Sequence, residues 1–207
     1  MSLEIYLIRH GQAQANGTGG DNCEPAITPE GLRQARQAGR ALRKIRFLHL
    51  FASPMLRALE TAREIARGQA CRAEIRSELC EAFTPSHRPL FRQEIKKQFP
   101  RFNIRTLRCN AQGNWWTNRR LHEWNTVQRR ALRMARLFKD LARRKNGAIG
   151  VILHNGIASI LIDCLLEAPL RVEHRYTMQN CGITVLRLEK DGKTLLLYCN
   201  RTEHLYD

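Results

Sequence analysis

The apolar positions of this chain follow two different periods. Leu3 to Ile8 is a short, nearly continuous apolar run ending at Arg9-His10-Gly11, the pattern of a buried strand that feeds a loop. Leu48 to Ala52 and Ala148 to Leu153 repeat that pattern. Residues 71–79 alternate, Cys71, Ala73 and Ile75 against Arg72, Glu74 and Arg76, which predicts a further strand. About Gly182 to Glu189 and Thr194 to Asn200 make two more, joined as a hairpin by Lys190-Asp191-Gly192-Lys193.

Between these runs the spacing is helical. Thr28-Pro29-Glu30 opens the first helix, with Thr28 as N-cap, Pro29 in first position and Gly31 where a capping-box acid usually stands. Leu32, Ala35, Ala38, Gly39, Leu42 and Ile45 form its apolar stripe. Ser53-Pro54 caps a second helix that reaches about Arg67. Three others are predicted over about Pro89 to Gln98, Leu121 to Arg144 (with Leu132, Leu137, Phe138 and Leu141 apolar) and Gly156 to Leu166. The polar segment 12–26 reads as a loop, and 83–119, with its prolines and Trp115-Trp116, as irregular chain. Strands alternating with helices predict an α/β fold: a layered, mostly parallel sheet with helices on both faces and a helical insertion. The expected organisation is one domain, 1–207, with 83–145 as a mostly helical insertion or cap. A chain of 207 residues buries roughly 70% of its unfolded surface and needs no disulfide or metal to hold a core.

Charge changes the picture. The chain carries 28 Arg and 7 Lys against 19 acids, a net +16. That balance suits an anionic partner or an arginine-rich solvated surface. Because the basic residues are spread along the chain, the surface reading is preferred and nucleic acid is disfavoured as a partner. The seven cysteines (Cys23, Cys71, Cys80, Cys109, Cys164, Cys181, Cys199) include no C-x-x-C pair, so neither a disulfide framework nor a zinc cage fits. Reduced thiols in a cytoplasmic protein are the expectation. The apolar start is too short for a signal peptide. The longest uncharged stretch, Asn146 to Ile162, is too short for a membrane span, so no membrane partner is expected.

The candidate chemistry is positional. Arg9-His10-Gly11 leaves the C-terminal end of one strand and His154-Asn155-Gly156 that of another, and open α/β sheets bind ligands outside those ends. Each histidine stands near a glycine that lets backbone approach a ligand. Arg57 lies one turn into the helix after Ala52, and Glu81 just past the third strand. Together they make a phosphate-transfer kit. A neutral imidazole attacks phosphorus, guanidiniums and a second imidazole (if protonated) balance the oxygens, and a carboxyl group moves the proton. No clustered Asp/Glu/His set suggests a metal, and no cofactor is implied.

The stretch Leu7-Ile8-Arg9-His10-Gly11-Gln12 resembles the signature of the histidine phosphatase superfamily, which contains the cofactor-dependent phosphoglycerate mutases. The resemblance runs over most of the chain: Asn16, Thr28-Pro29-Glu30-Gly31 with Gln34-Ala35, Ser53-Pro54 with Arg57-Ala58 and Thr61-Ala62, Leu79-Cys80-Glu81, His154, Asn180 with Ile183-Thr184, and His204-Leu205. It implies His10 as nucleophile forming a phosphohistidine, with Arg9, Arg57 and His154 clasping the phosphoryl group. Glu81 would be the proton donor, with Glu78 as fallback, and Asn16, Gln12 and Asn155 would be substrate contacts. Three departures stand out: Ala13 where Ser or Thr is common, Asn155 where Gly is usual, and an acid segment without a Gly-rich continuation. His49 and His174 are read as structural, and Trp115, Trp116 and His122 as packing.

Mutases of this family look longer, with a segment rich in Trp, Phe and Asp after the signature. Here residues 17–27 separate Asn16 from Thr28 and contain no aromatic. Loss of an enclosing segment favours water as acceptor. The sequence therefore predicts a metal-independent phosphomonoester hydrolase, of the phosphatase branch, acting through a phosphohistidine on a small anionic phosphorylated substrate. The alternatives are a cofactor-dependent phosphoglycerate mutase and a non-catalytic phosphatase-like module that binds anions or nucleic acid. The substrate and the oligomeric state are left open.

Overall fold

The computed structural model describes residues 2–14, 24–82, 88–116, 123–171 and 175–206. Six strands, β1 (Ser2–Arg9), β2 (Phe47–Ala52), β3 (Ala73–Ile75), β4 (Gly147–Leu153), β5 (Ile183–Glu189) and β6 (Thr194–Arg201), form one sheet in the order β3-β2-β4-β1-β5-β6. The first four in that order are mutually parallel, β5 runs antiparallel to β1, and β6 antiparallel to β5. The helices are α1 (Pro29–Ala41), α2 (Leu56–Ala66), α3 (Arg92–Gln98), α4 (Trp124–Arg144) and α5 (Asn155–Leu166).

Strand side chains alternate between two apolar cores. Leu3, Ile5, Leu7, Ile149, Val151 and Leu153 enter the core under α4 and α5. Tyr6, Ile8, Leu50, Ala52 and Ile152 enter the one shared with α2 and with Ile95 of α3. Both faces of the central strands are therefore covered, which is why their sequences read as unbroken apolar runs. A Cβ at Gly150 would stand 2.6 Å from Leu50 Cδ1, so this glycine makes room for a neighbouring strand's side chain. α1 opens as its sequence predicts, with Gly31 N–H donating to the Thr28 hydroxyl at 3.0 Å, and it packs on α2.

Three details differ from the sequence expectation. β3 keeps only Ala73–Ile75 of the alternating stretch 71–79. Its outer edge is taken by Asn103, whose N–H donates to Ala73 O at 2.7 Å and whose carbonyl accepts from Ile75 N–H at 2.9 Å. The chain then tightens into a 3-10 turn at Ser77–Leu79 that buries Leu79. α2 begins at Leu56, and Ser53 is engaged elsewhere rather than capping it. On α4 the buried face is Val127, Ala131, Met134, Ala135, Phe138 and Ala142, while Leu132 is 36% exposed. Small alanines let α4 lie close on α5 and the sheet, so the helix face is set by close approach rather than by side-chain size.

No described helix is long and apolar enough to cross a membrane. The six described cysteines are free thiols.

Candidate active site

Strand register builds the site. β1 and β4 run parallel with Arg9 opposite Leu153, so the residues that follow, His10 and His154, leave the sheet side by side. The His10 N–H donates to Leu153 O at 3.0 Å, and the two ring centroids are 4.9 Å apart. That is about one inter-strand spacing of 4.8 Å. On the other side of β4, Ala52 stands opposite Ile152 and the Ser53 N–H donates to Ile152 O at 3.0 Å, which places Ser53 beside His154. The helix after β2 covers one face of the sheet and the helix after β4 the other, so the crevice opens where the connections change direction.

The first imidazole is held in one tautomer. His10 Nδ1 lies 2.8 Å from Gly11 O. A carbonyl oxygen only accepts, so Nδ1 carries the proton and Nε2 keeps its lone pair. The Arg57 Nε–H donates to that Nε2 at 3.2 Å. Burial, reinforced by Arg57, pushes His10 down to about 3, and the ring is neutral at pH 7. Two further bonds fix its backbone: Asn180 Nδ2 donates to His10 O at 3.0 Å, and Gly11 N–H donates to Thr61 Oγ1 at 3.0 Å. The Thr61 hydroxyl in turn donates to Arg57 O at 2.7 Å, so the His10–Gly11 loop and the first turn of α2 form one unit. Gly11 has a role the sequence did not suggest. A Cβ there would stand 2.5 Å from Gly31 O, and one on Gly31 2.0 Å from Gln12 O. The two glycines let α1 cross the loop backbone to backbone.

His154 is fully buried, with Nε2 2.9 Å from Ser53 Oγ and Nδ1 without a partner among the described residues. Burial, then Arg57 and His10, hold it well below 6.5, so the second imidazole is also neutral and the fixed charge comes from guanidinium. Arg57 is 8% exposed, with Nη2 3.7 Å from Met55 Sδ. Arg9 donates from Nη1 to Met178 O at 2.5 Å, and its buried Nε has no partner among the described residues. Burial lowers both arginines from their ordinary range, opposed in each case by Glu81 among others.

The Glu81 carboxylate sits over the start of α5. It accepts from Ala82 N–H (2.6 Å), Ile157 N–H (3.2 Å) and Gly156 N–H (3.4 Å), next to the His154 N-cap position. The segment that carries it is clamped from behind by Arg130 of α4. Its Nη1 donates to Cys80 O at 2.7 Å and its Nη2 to Glu81 O at 3.2 Å. Glu78 faces away, with its carboxylate 3.5 Å from Arg133.

The structure thus brings together Arg9, His10, Arg57, Glu81 and His154. Gln12 is tied to α1 instead: its side-chain oxygen accepts from the Thr28 hydroxyl at 2.7 Å. Asn155 Oδ1 accepts from Met178 N–H at 2.7 Å and so braces the neighbouring segment. Asn16, His122 and His174 lie outside the described residues. Trp115 is buried and donates from Nε1 to Leu90 O at 2.9 Å, a packing position. His49 stacks on Phe51 at 5.7 Å and lines a 760 Å³ cleft with Arg72, Glu74, Arg92 and Lys96 at the far edge of the sheet. That cleft holds none of the five.

Sequence reasoning missed four supporting residues. Ser53 and Thr61 were visible only as parts of helix openings. Arg130 had a signal: it stands three residues after Val127 and four before Met134, a cation on an apolar stripe. Glu24 had none. It is 5% exposed, accepts from Leu56 N–H at 2.9 Å at the start of α2, and burial pushes it up to about 7 against the opposing pull of that bond and of Arg57. Among the described residues no three His, Cys, Asp or Glu side chains gather as metal ligands would.

Comparison with known proteins gives concordant results. A protein from Enterobacter sp. (strain 638) named probable phosphoglycerate mutase GpmB is 27% identical over 192 residues, covering 88% of this chain and 83% of its own. Among solved structures, the alpha-ribazole phosphatase from Shigella flexneri superposes with a TM-score of 0.68 at 21% identity, covering 96% of both chains. A phosphoserine phosphatase from Entamoeba histolytica, solved with phosphoserine, gives a TM-score of 0.67 at 23% identity, covering 98% of this chain and 99% of its own. The model of the histidine phosphatase superfamily (branch 1) matches residues 5–201. With that match spanning nearly all of a chain whose two histidines meet at the end of a parallel strand pair, the protein belongs to the histidine phosphatase superfamily and is an enzyme of that type.

Proposed function

We propose that this enzyme hydrolyses a small phosphomonoester, without a metal or organic cofactor, through a phosphohistidine on His10. The observation that carries the reading is the Nδ1–Gly11 O bond of 2.8 Å, which puts the lone pair of a neutral ring on Nε2; there it accepts from Arg57 Nε–H at 3.2 Å, a bond that gives way as Nε2 attacks phosphorus. As the Nε2–P bond forms, the bond from phosphorus to the ester oxygen breaks, and Glu81, acting in its carboxylic acid form, gives its proton to the leaving oxygen and becomes the carboxylate that takes the proton of the incoming water. Water then attacks phosphorus, its proton passes to Glu81, the P–N bond breaks, and inorganic phosphate leaves. Arg9 and Arg57 balance the charge on the phosphoryl oxygens in both steps. Because the imidazole is neutral before attack, the step needs no prior proton transfer from the nucleophile. A cytoplasmic site of action fits the free thiols at the six described cysteines.

The test is hydrolysis of 4-nitrophenyl phosphate in excess EDTA. Wild-type protein should turn over and form an acid-labile phosphoenzyme, and His10→Ala should lose both, with activity down at least about a thousandfold. Undiminished turnover by the alanine variant, or loss of turnover to EDTA, would overturn the reading. A mutase is the second reading, favoured by the name of the Enterobacter relative. It predicts transfer of phosphate between positions of a phosphoglycerate faster than its release to water.

A further inference from the structure

The second imidazole poses a chemical problem. His154 is fully buried and sits within one strand spacing of His10, where the proposed function puts a phosphoryl group. A neutral imidazole offers one N–H and one lone pair. If the lone pair met a phosphoryl oxygen, two acceptors would oppose each other inside a site of low dielectric. The ring therefore helps only if its proton is on the nitrogen that meets the phosphoryl group.

Ser53 decides which nitrogen that is. Its hydroxyl oxygen is fully buried and accepts from Met55 N–H at 3.3 Å, so the hydroxyl proton needs an acceptor of its own. Among the described residues the one within reach is His154 Nε2, at 2.9 Å. With the Ser53 O–H donating there, Nε2 is the lone-pair nitrogen and the ring proton is on Nδ1. Nδ1 is also the buried ring atom that has no partner among the described residues. The opposite tautomer would orphan the serine proton and leave Nδ1 a bare acceptor. We propose that Ser53 is a positioning residue: it donates to Nε2 of His154, fixes the proton of the neutral ring on Nδ1, and so makes that ring an uncharged donor to the phosphoryl group. Arg9 and Arg57 then carry the charge, and the two histidines play complementary parts in the same tautomeric form, Nδ1–H on each ring. One donates from that N–H, the other attacks from the opposite nitrogen.

The tautomer follows from the hydrogen bonds alone; the role of Nδ1 toward phosphate rests on the proposed function. The test separates them. Two-bond 15N–1H correlation of histidine-labelled protein at pH 7, assigned with His154→Gln, should show the Nδ1–H form for His154, and a mixed or Nε2–H ring in Ser53→Ala. Affinity for inorganic phosphate should fall about tenfold in Ser53→Ala, the loss expected for one hydrogen bond to an anion, and return in Ser53→Thr, which keeps the hydroxyl. A wild-type His154 in the Nε2–H or imidazolium form would overturn the proposal even if Ser53→Ala failed to fold. So would a Ser53→Ala protein with the wild-type tautomer, or with unchanged phosphate affinity. None of these outcomes touches the hydrolase reading, which stands or falls on His10→Ala.

Discussion

Burial sets the protonation of both imidazoles, and its consequence for stability has a definite sign. His10 falls from 6.5 to about 3 on folding, and His154 moves in the same direction. Below pH 6.5 the unfolded chain therefore binds protons that the folded one refuses. Stability is fully present above 6.5 and is lost as pH falls toward 3, at about 1.4 kcal/mol per pH unit for each such group. His10→Asn removes one of them. Urea denaturation at pH 7 and pH 4.5 should show the variant losing less stability between the two than wild type. Equal losses would contradict the buried, neutral state of this ring. Glu24 works in the opposite direction. Raised from 4.5 to about 7, its contribution is present below 4.5 and is lost as pH rises through 7. Neutral to mildly acidic pH is where these opposed effects balance.

At the scale of elements, the site depends on a helix that does not enter it. α4 reaches the acid-bearing segment through Arg130, which is 5% exposed and is hydrogen-bonded to the carbonyls of Cys80 and Glu81. Arg130→Met keeps the bulk and apolar stem but leaves those carbonyls without their cationic donor. Denaturation should show a loss of about 2–4 kcal/mol, by analogy with other buried charged hydrogen bonds. The variant should also lose kcat on 4-nitrophenyl phosphate more than it gains in KM, because Glu81 loses its anchor while both arginines stay in place. A variant with wild-type kcat would show that Glu81 is held adequately by the α5 amides alone. α2 has a comparable supporting role. Thr61 ties its first turn to Gly11, so the backbone of Arg57 and the His10–Gly11 loop are linked through one hydroxyl.

Over the whole molecule, a net charge of +16 surrounds the crevice that holds Arg9 and Arg57, where the proposed function puts an anion. Such a field raises the encounter rate of anionic substrates and is screened by salt, with a Debye length of roughly 10 Å at 0.1 M and 3 Å at 1 M. Raising ionic strength should lower kcat/KM for a phosphomonoester several-fold while kcat changes little, since the buried arginines act at short range once the substrate is bound. A salt-independent kcat/KM would assign the surface charge to solvation alone.

The ends of the strands and the two histidines that leave them were legible in the sequence, because a strand buried on both faces must be continuously apolar. The first polar residue after each run then marks the rim of the sheet. Arg9 was legible for the same reason, whereas Arg57, one turn into the next helix, and Glu81, after an alternating stretch that also offered Glu78, were picked out by position together with the family resemblance. Ser53, Arg130 and Glu24, and the reason for Gly11, were decided by the tertiary structure. Each owes its role to a residue tens of positions away, and only strand register and helix packing choose that neighbour. The same holds for the protons. A sequence lists imidazoles, but the acceptor beside Nδ1 of His10 and the hydroxyl beside Nε2 of His154 determine which nitrogen is free to act.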